Sequence, residues 1–487
     1  MSTNAQKRSR ATHTKSRQGC YTCKSRRVKC DEAKPICGAC ALRSEKCGYP
    51  TSTSRQARRE RQDEVPMAAE ARQWAPAFSH NGSPRALDFD LPSPSVPRTE
   101  VNPALMNMVD LRLLSHFMIR TSKHMSLSPY RQQVWETLIP KLATDHEFLM
   151  HLLLALAGLD DFPLDTQPAG GVPLGGTISS DSATSMHYAH HMQIVVGHHQ
   201  CGLQGFRDQL STLSNANCHQ VFAGSMLLVA FAFASLRVRN WSDSHMSISA
   251  TTTTPLLKLR LDWIYLIRGL TTVVVQCWPS LRMGPFREIL QYPGATEDWK
   301  MYPDTMFTTV AAPAGCSSRI ARFCGGAFEA ISRLRSLQDA TPSPMDADSP
   351  FNSGLDQASS ALRDGLELLE SMYMRILYVV QFSRDETNTG AAVPVAIQTD
   401  MENAAVMGWP QALSESFLAS LGSPDVTPNA SLVVLAHLYL TLALFEATWF
   451  LNSAFDEEIM KIDALLKASH DETFIALMQW PVTVLNG

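Results

Sequence analysis

The 487-residue sequence predicts a small metal-held module, a disordered linker and a large all-α domain, in that order. Three observations carry this. Six of the 11 cysteines lie between Cys20 and Cys47, whereas Cys201, Cys218, Cys277, Cys316 and Cys324 stand singly. Residues 1–64 hold 16 Lys/Arg against 6 Asp/Glu, a net of +10, and the remainder carries −14, so the whole-chain −4 conceals the division. From about Ala104 onward, long apolar segments recur with helical spacing and few stretches alternate with the period of a strand.

The first residues, MSTNAQKRSRATHTKSR, are polar and basic, without the apolar run of a secretory signal, so a reducing compartment is expected. Clustered cysteines in such a compartment read as metal ligands rather than disulfides. Cys20, Cys23, Cys30, Cys37, Cys40 and Cys47 form the pattern C-x2-C-x6-C-x6-C-x2-C-x6-C, two near-identical halves. Structural zinc takes four ligands in a tetrahedron. Two ions need eight ligand positions, so among six thiolates two sulfurs must bridge. Six thiolates and two Zn²⁺ sum to −2, which nearby lysines and arginines would offset while keeping the thiols deprotonated. A basic head on an acidic body is also the charge asymmetry of a chain with a nucleic-acid-binding end.

The segment 20–47 resembles the fungal binuclear zinc-cluster (Zn2Cys6) transcription factors at full spacing, with the basic run Lys24-Ser-Arg26-Arg27-Val-Lys29 and Pro35 as further matches. The resemblance implies two zinc ions bridged by Cys20 and Cys37, with Cys23 and Cys30 completing one site and Cys40 and Cys47 the other. It implies a helix entering the major groove of double-stranded DNA and a CGG-type triplet read from the positions of Arg26 and Arg27. Arginine suits guanine because it can donate two parallel hydrogen bonds to O6 and N7. Many relatives carry lysine there. Lys24 and Lys29, with Lys15 and Arg17, are placed for phosphate contact, which contributes affinity without sequence information. The alternative reading of these cations is a solvated basic face.

Residues 51–103 turn to Ser, Pro, Arg, Gln and Ala without apolar periodicity, as a disordered linker does. Many relatives follow the cluster with a coiled coil. Here residues 51–75 lack apolar heptad positions and Pro66 would break a helix, which predicts none. KRSR at 7–10 and RQARRER at 55–61 are basic runs suited to nuclear import. Leu87-Asp-Phe-Asp-Leu91 alternates like a short activation segment, with plain linker as its default reading.

Residues 104–487 predict an all-helical domain built from segments such as MVDLRLLSHFMI, EFLMHLLLALAGL, VFAGSMLLVAFAFASL, LDWIYLIRGLTTVVV and ASLVVLAHLYLTLALFEATWFL. Val221–Leu236 falls short of the roughly 20 residues a bilayer requires. Ser431–Leu451 is interrupted by His437 and Glu446, so both read as core helices and no membrane span is expected. The stretch from LRLLSHFMIRTSKHMSLSPYRQQVWETLIPKL through LRLDWIYLIRGLTTVV to GWPQALSESFL and SLVVLAHLYLTLAL resembles the regulatory domain of the sterol-uptake-regulator branch of the same family. That resemblance implies a helical domain that controls activity and holds a hydrophobic small-molecule ligand.

His187, His190, His191, His198 and His199 have helical spacing but no matching carboxylate or cysteine, and read as helix surface. Trp263, Arg268 and Trp278 read as packing residues. No P-loop, GxGxxG, HExxH or GxSxG occurs, so no catalytic residue and no enzyme activity are expected. The expected function is sequence-specific DNA-binding regulation of RNA polymerase II transcription in the nucleus. Its partners would be CGG-containing DNA and the transcription machinery, and its targets sterol or secondary-metabolite genes. The alternative is a ligand-sensing regulator in which small-molecule binding by the helical domain is the primary activity.

Overall fold

The structure is a computed structural model in which residues 22–23, 28, 30–34, 36–43, 107–162, 180–246, 261–339, 352–382, 393–421 and 429–486 are described. The chain divides between Ala75 and Pro76 into two compact units. The expected linker 51–103, the basic runs, the absent coiled coil and Leu87–Leu91 all lie outside the described residues. Among the described residues there is no strand, and the all-α expectation holds.

In the N-terminal unit, the short helix α1 (Gly38–Ala41) starts at the second CxxC pair, and Thr22 and Cys23 are also helical. Among the described residues of the C-terminal unit the first helix is α2 (Met108–Ile119), whose N-cap Asn107 accepts a hydrogen bond from the Val109 amide. Pro129 starts α3 (Pro129–Gln133), and a π-turn at Val134–Leu138 joins it to α4 (Ile139–Asp145).

The next two helices, α5 (Glu147–Asp160) and α6 (Ser180–Ser211), pack along their length. Glycines on α5 and α6 permit this. A β-carbon on Gly158 would lie 2.5 Å from Val195, one on Gly205 2.6 Å from Phe148, and one on Gly202 2.7 Å from Leu152. His116 and Thr121 both bond the Asp160 carboxylate, at 2.9 and 2.8 Å, and fasten α2 to the end of α5.

Buried α5 lies against α7 (Cys218–Met246), which in turn packs on α8 (Asp262–Met283). The apolar part of α7, Cys218–Val238, spans 21 residues rather than the 16 expected, and by length and composition could cross a bilayer. Yet 89% of its most apolar window is buried inside the protein, as in a core helix.

The C-terminal half comprises α9 (Ser318–Asp339), α10 (Asn352–Phe382), α11 (Val393–Asn403), α12 (Glu415–Leu421), α13 (Asn429–Ala443), α14 (Asp456–Ala468) and α15 (Glu472–Asn486). Every residue of α13 from Ser431 to Ala443 is buried, with α10, α14 and α15 around it. The apolar run expected as one long helix ends at Ala443 and continues in turns. Trp263 and Arg268 do fix packing. The indole of Trp263 meets Trp409 and Phe455 edge-on, and Arg268 donates to the Leu413 carbonyl at 2.7 Å and pairs with Glu415.

Candidate zinc and DNA-binding site

The site begins with four cysteines that fold out of solvent. Cys23, Cys30, Cys37 and Cys40 are each at most 2% exposed and pack as one cluster, although the chain around them is short and mostly polar. Local hydrogen bonds set their positions. The Val28 amide donates to the Cys23 carbonyl, and the Cys40 and Ala41 amides donate to the Cys37 carbonyl, forming the first turn of α1. The Glu32 amide points at the Cys30 sulfur from 3.4 Å, and Glu32 itself takes a left-handed conformation, φ 60°, that reverses the chain between the halves.

The sulfurs converge. Cys23 Sγ lies 3.6 Å from Cys37 Sγ and 3.9 Å from Cys40 Sγ. Two sulfurs each about 2.3 Å from one tetrahedral zinc lie about 3.8 Å apart, so the spacing fits zinc thiolate ligation. Cys23, Cys37 and Cys40 form one potential ligand group; Cys30, Asp31 and Cys37 form a second, with ligating atoms within 4.8 Å of one another. Cys37 is common to both. Cys20 and Cys47, and the cations Lys24, Arg26, Arg27 and Lys29, lie outside the described residues.

Sequence reasoning overlooked Asp31. Its carboxylate accepts a hydrogen bond from the Gly38 amide at 2.9 Å, reaching from beside Cys30 to beside Cys37. The available signal was an acidic residue directly after a cysteine in an otherwise basic segment.

Residues 18–56 match the family described as the fungal Zn(2)-Cys(6) binuclear cluster domain, and residues 112–258 match the fungal specific transcription factor domain. The chain carries both domains. The binuclear cluster domain binds two zinc ions, and the converging thiols fit that role. The chain is similar to a Zn(2)-C6 fungal-type transcription factor, afumD, of Aspergillus fumigatus, 31% identical over 163 residues, which are 33% of this chain and 36% of that protein. It is similar to sterol uptake control protein 2 of Candida albicans, 60% identical over 40 residues, 8% of this chain and 6% of that one. Its similarity to sterol uptake control protein 2 of Saccharomyces cerevisiae is 24% over 190 residues, 38% of this chain and 17% of that one. The chain thus spans about a third or less of the length of these relatives.

In the helical unit, the histidines of α6 correct the sequence reading. His190 is exposed, but His191 is buried and bonds the Gly158 carbonyl at 2.7 Å. His198 sits between His151, Nδ1 to Nδ1 2.9 Å, and Asp110 at 3.1 Å. His199 is buried face-on against Phe231, where burial and the nearby Arg207 push its pKa down to about 4. These histidines are surface only in part because α6 packs along α5 and touches α7, and His198 reaches Asp110 of α2.

A cleft of about 660 Å³ beside α10 is lined by Glu297, Asp364, Glu367 and Glu370 around Trp299. Leu368, Ala412 and Leu413 also line it, so the cleft is of mixed polarity.

Proposed function

We propose that this chain is a non-enzymatic, sequence-specific DNA-binding regulator of RNA polymerase II transcription that acts in the nucleus. Residues 1–50 form the DNA-binding module, 51–103 the linker and 104–487 the helical regulatory domain. Cys20, Cys23, Cys30, Cys37, Cys40 and Cys47 hold two zinc ions, with Cys20 and Cys37 bridging. Arg26 and Arg27 contact the bases of a CGG-type triplet, while Lys24 and Lys29 contact phosphates. The observation that carries this reading is the convergence of Cys23, Cys37 and Cys40 at 3.6 and 3.9 Å inside a segment of net charge +10.

The proposed chemistry divides the labour. Zinc folds the module by fixing thiolates from both halves. Phosphate contacts supply salt-dependent affinity, and arginine forks on guanine supply discrimination. Full-length protein titrated with labelled duplexes should prefer CGG-containing DNA, with affinity falling steeply as salt rises. Equal affinity for scrambled duplexes at physiological salt would exclude the sequence-specific reading.

A second reading, in which ligand sensing by the helical domain is the primary activity, is supported by the similarity over 190 residues to a sterol uptake control protein. Sterol or secondary-metabolite genes are the corresponding targets. Thermal shift of the full chain with sterols separates it from the first reading, because zinc-dependent DNA binding alone predicts no shift.

A further inference from the structure

The second cysteine pair poses a capping problem. Cys37 occupies the N-cap of α1, in extended conformation, and its side chain makes no capping hydrogen bond. Helix N-caps are ordinarily Ser, Thr, Asp or Asn, whose side-chain oxygen satisfies one of the first amides. A cysteine committed to metal cannot do this, because its sulfur is turned toward the other thiols.

An acceptor for the first helical amide arrives instead from the preceding loop. Asp31 Oδ2 accepts the Gly38 amide at 2.9 Å, and Oδ1 is 3.4 Å from the Ala33 amide. Between Asp31 and Ala33 lies Glu32 in its left-handed conformation, and the chain there brings Asp31 within hydrogen-bond distance of the start of α1. The carboxylate approaches so closely that a β-carbon on Gly38 would lie 2.8 Å from Oδ2. A side chain at position 38 would therefore displace the Asp31 carboxylate. One carboxylate thus spans from the residue after Cys30 to the residue after Cys37.

We propose that Asp31 is a positioning residue for the zinc cluster, holding the first amide of α1 so that Cys37 and Cys40 present their thiolates together. The role rests on the reading of those cysteines as zinc ligands. Asp31 acts through the backbone and not as a ligand, even though its carboxylate lies within ligand range of Cys30 and Cys37. The Gly38 amide offsets part of the carboxylate charge beside a thiolate cluster that is already negative. Outer-shell partners of this kind typically contribute a factor of about 10 to 100 to metal affinity.

The test uses the full chain, with zinc content, chelator competition and the absorption spectrum of the cobalt-substituted protein as readouts. Asp31→Ala should lower zinc affinity about 10- to 100-fold. Asp31→Asn, which keeps an acceptor oxygen, should restore most of it and leave the sulfur-to-cobalt charge-transfer bands unchanged. Gly38→Ala should weaken binding by displacing the carboxylate, and adding it to Asp31→Ala should cost little more, because both remove one contact. Recovery of the wild-type metal stoichiometry at saturating zinc shows that the module of each Asp31 and Gly38 variant still folds. Asp31→Ala with unaltered zinc affinity would overturn the proposal, as would additive losses in the double variant. Changed cobalt bands in Asp31→Asn would make Asp31 a ligand instead. A Cys40→Ser variant that keeps full zinc affinity would remove the ligand reading itself, and with it any cluster for Asp31 to position.

Discussion

Arg131 and Glu402 form a buried ion pair, Nη1 to Oε1 2.8 Å, that joins the start of the helical unit to α11. Both are nearly inaccessible, at 3% and 6% exposure. Glu402 also accepts from the Ser126 hydroxyl at 2.6 Å and the Leu127 amide at 2.8 Å, while Arg131 donates to Asn403 at 2.6 Å and lies over the Tyr292 ring. Buried pairs of this kind add modest net stability when intact, but removing one partner leaves a charge with no solvent to hold it. Arg131→Ala should therefore destabilise the helical unit by about 3–5 kcal/mol. Denaturant midpoints would fall while zinc content stays at the wild-type value, since the cluster belongs to the other unit.

His437 makes the helical unit sensitive to acid. It is buried in α13, with Nε2 3.2 Å from the Leu477 carbonyl and Nδ1 3.0 Å from the Tyr373 hydroxyl. The Tyr373 hydroxyl faces both Nδ1 and the His437 carbonyl, the latter at 3.1 Å, and with Nε2–H donating to the Leu477 carbonyl the ring is neutral. Burial pushes its pKa from 6.5 down to about 4, against a smaller opposing effect of the Leu477 carbonyl. The unfolded chain takes up this proton near pH 6.5 and the folded one only near 4, so stability is full above 6.5 and declines as pH falls between those values. The loss reaches about 3 kcal/mol at the low end. His199, also near 4, adds a loss in the same window. His437→Gln should flatten the fall in urea midpoint between pH 7 and 4.5 in part, with the lowered pKa values of His199 and His198 supplying the remainder, and an unchanged slope would show that His437 is not the group titrating.

The cluster is legible in the sequence because metal ligation fixes cysteine spacing along the chain, and the long helices are legible because burial of one face imposes a 3.6-residue period. MVDLRLLSHFMI is α2 from end to end. Asp31 is not legible, since its contact with Gly38 depends on the turn at Glu32. Nor is Arg131 with Glu402, which only tertiary folding brings together. The histidines of α6 misled for a related reason. A helix rich in His and Gln looks solvated, yet α6 packs against other helices, where buried His191 finds a carbonyl and half-buried His198 a carboxylate.

The glycines of α6 separate packing from helix propensity. Alanine is about 1 kcal/mol better than glycine inside a helix. At Gly197 a β-carbon would meet nothing within 4 Å, so Gly197→Ala should stabilise by about 0.5–1 kcal/mol. At Gly202 the same methyl would lie 2.7 Å from the Leu152 side chain and 3.0 Å from the Leu152 amide nitrogen. The backbone atom cannot rotate away, and overpacking typically costs about 1–3 kcal/mol. Gly202→Ala should thus be destabilising despite its propensity gain. Thermal denaturation of the two variants should shift in opposite directions.

The DNA-binding proposal predicts a separation of fold from affinity within the basic module. Cys23 is buried with its sulfur 3.6 Å from that of Cys37, so Cys23→Ala should release zinc and abolish DNA binding together. Arg27→Ala should leave zinc content intact and lose about 1–3 kcal/mol of discrimination at one base pair of the triplet. Lys24→Ala should weaken binding to all duplexes alike and reduce the salt slope by about one charge. Competition binding with single-base variants of the duplex, at two salt concentrations, reads all three. An Arg27→Ala protein that weakens binding uniformly, with its base preferences intact, would reassign Arg27 from the bases to the phosphates.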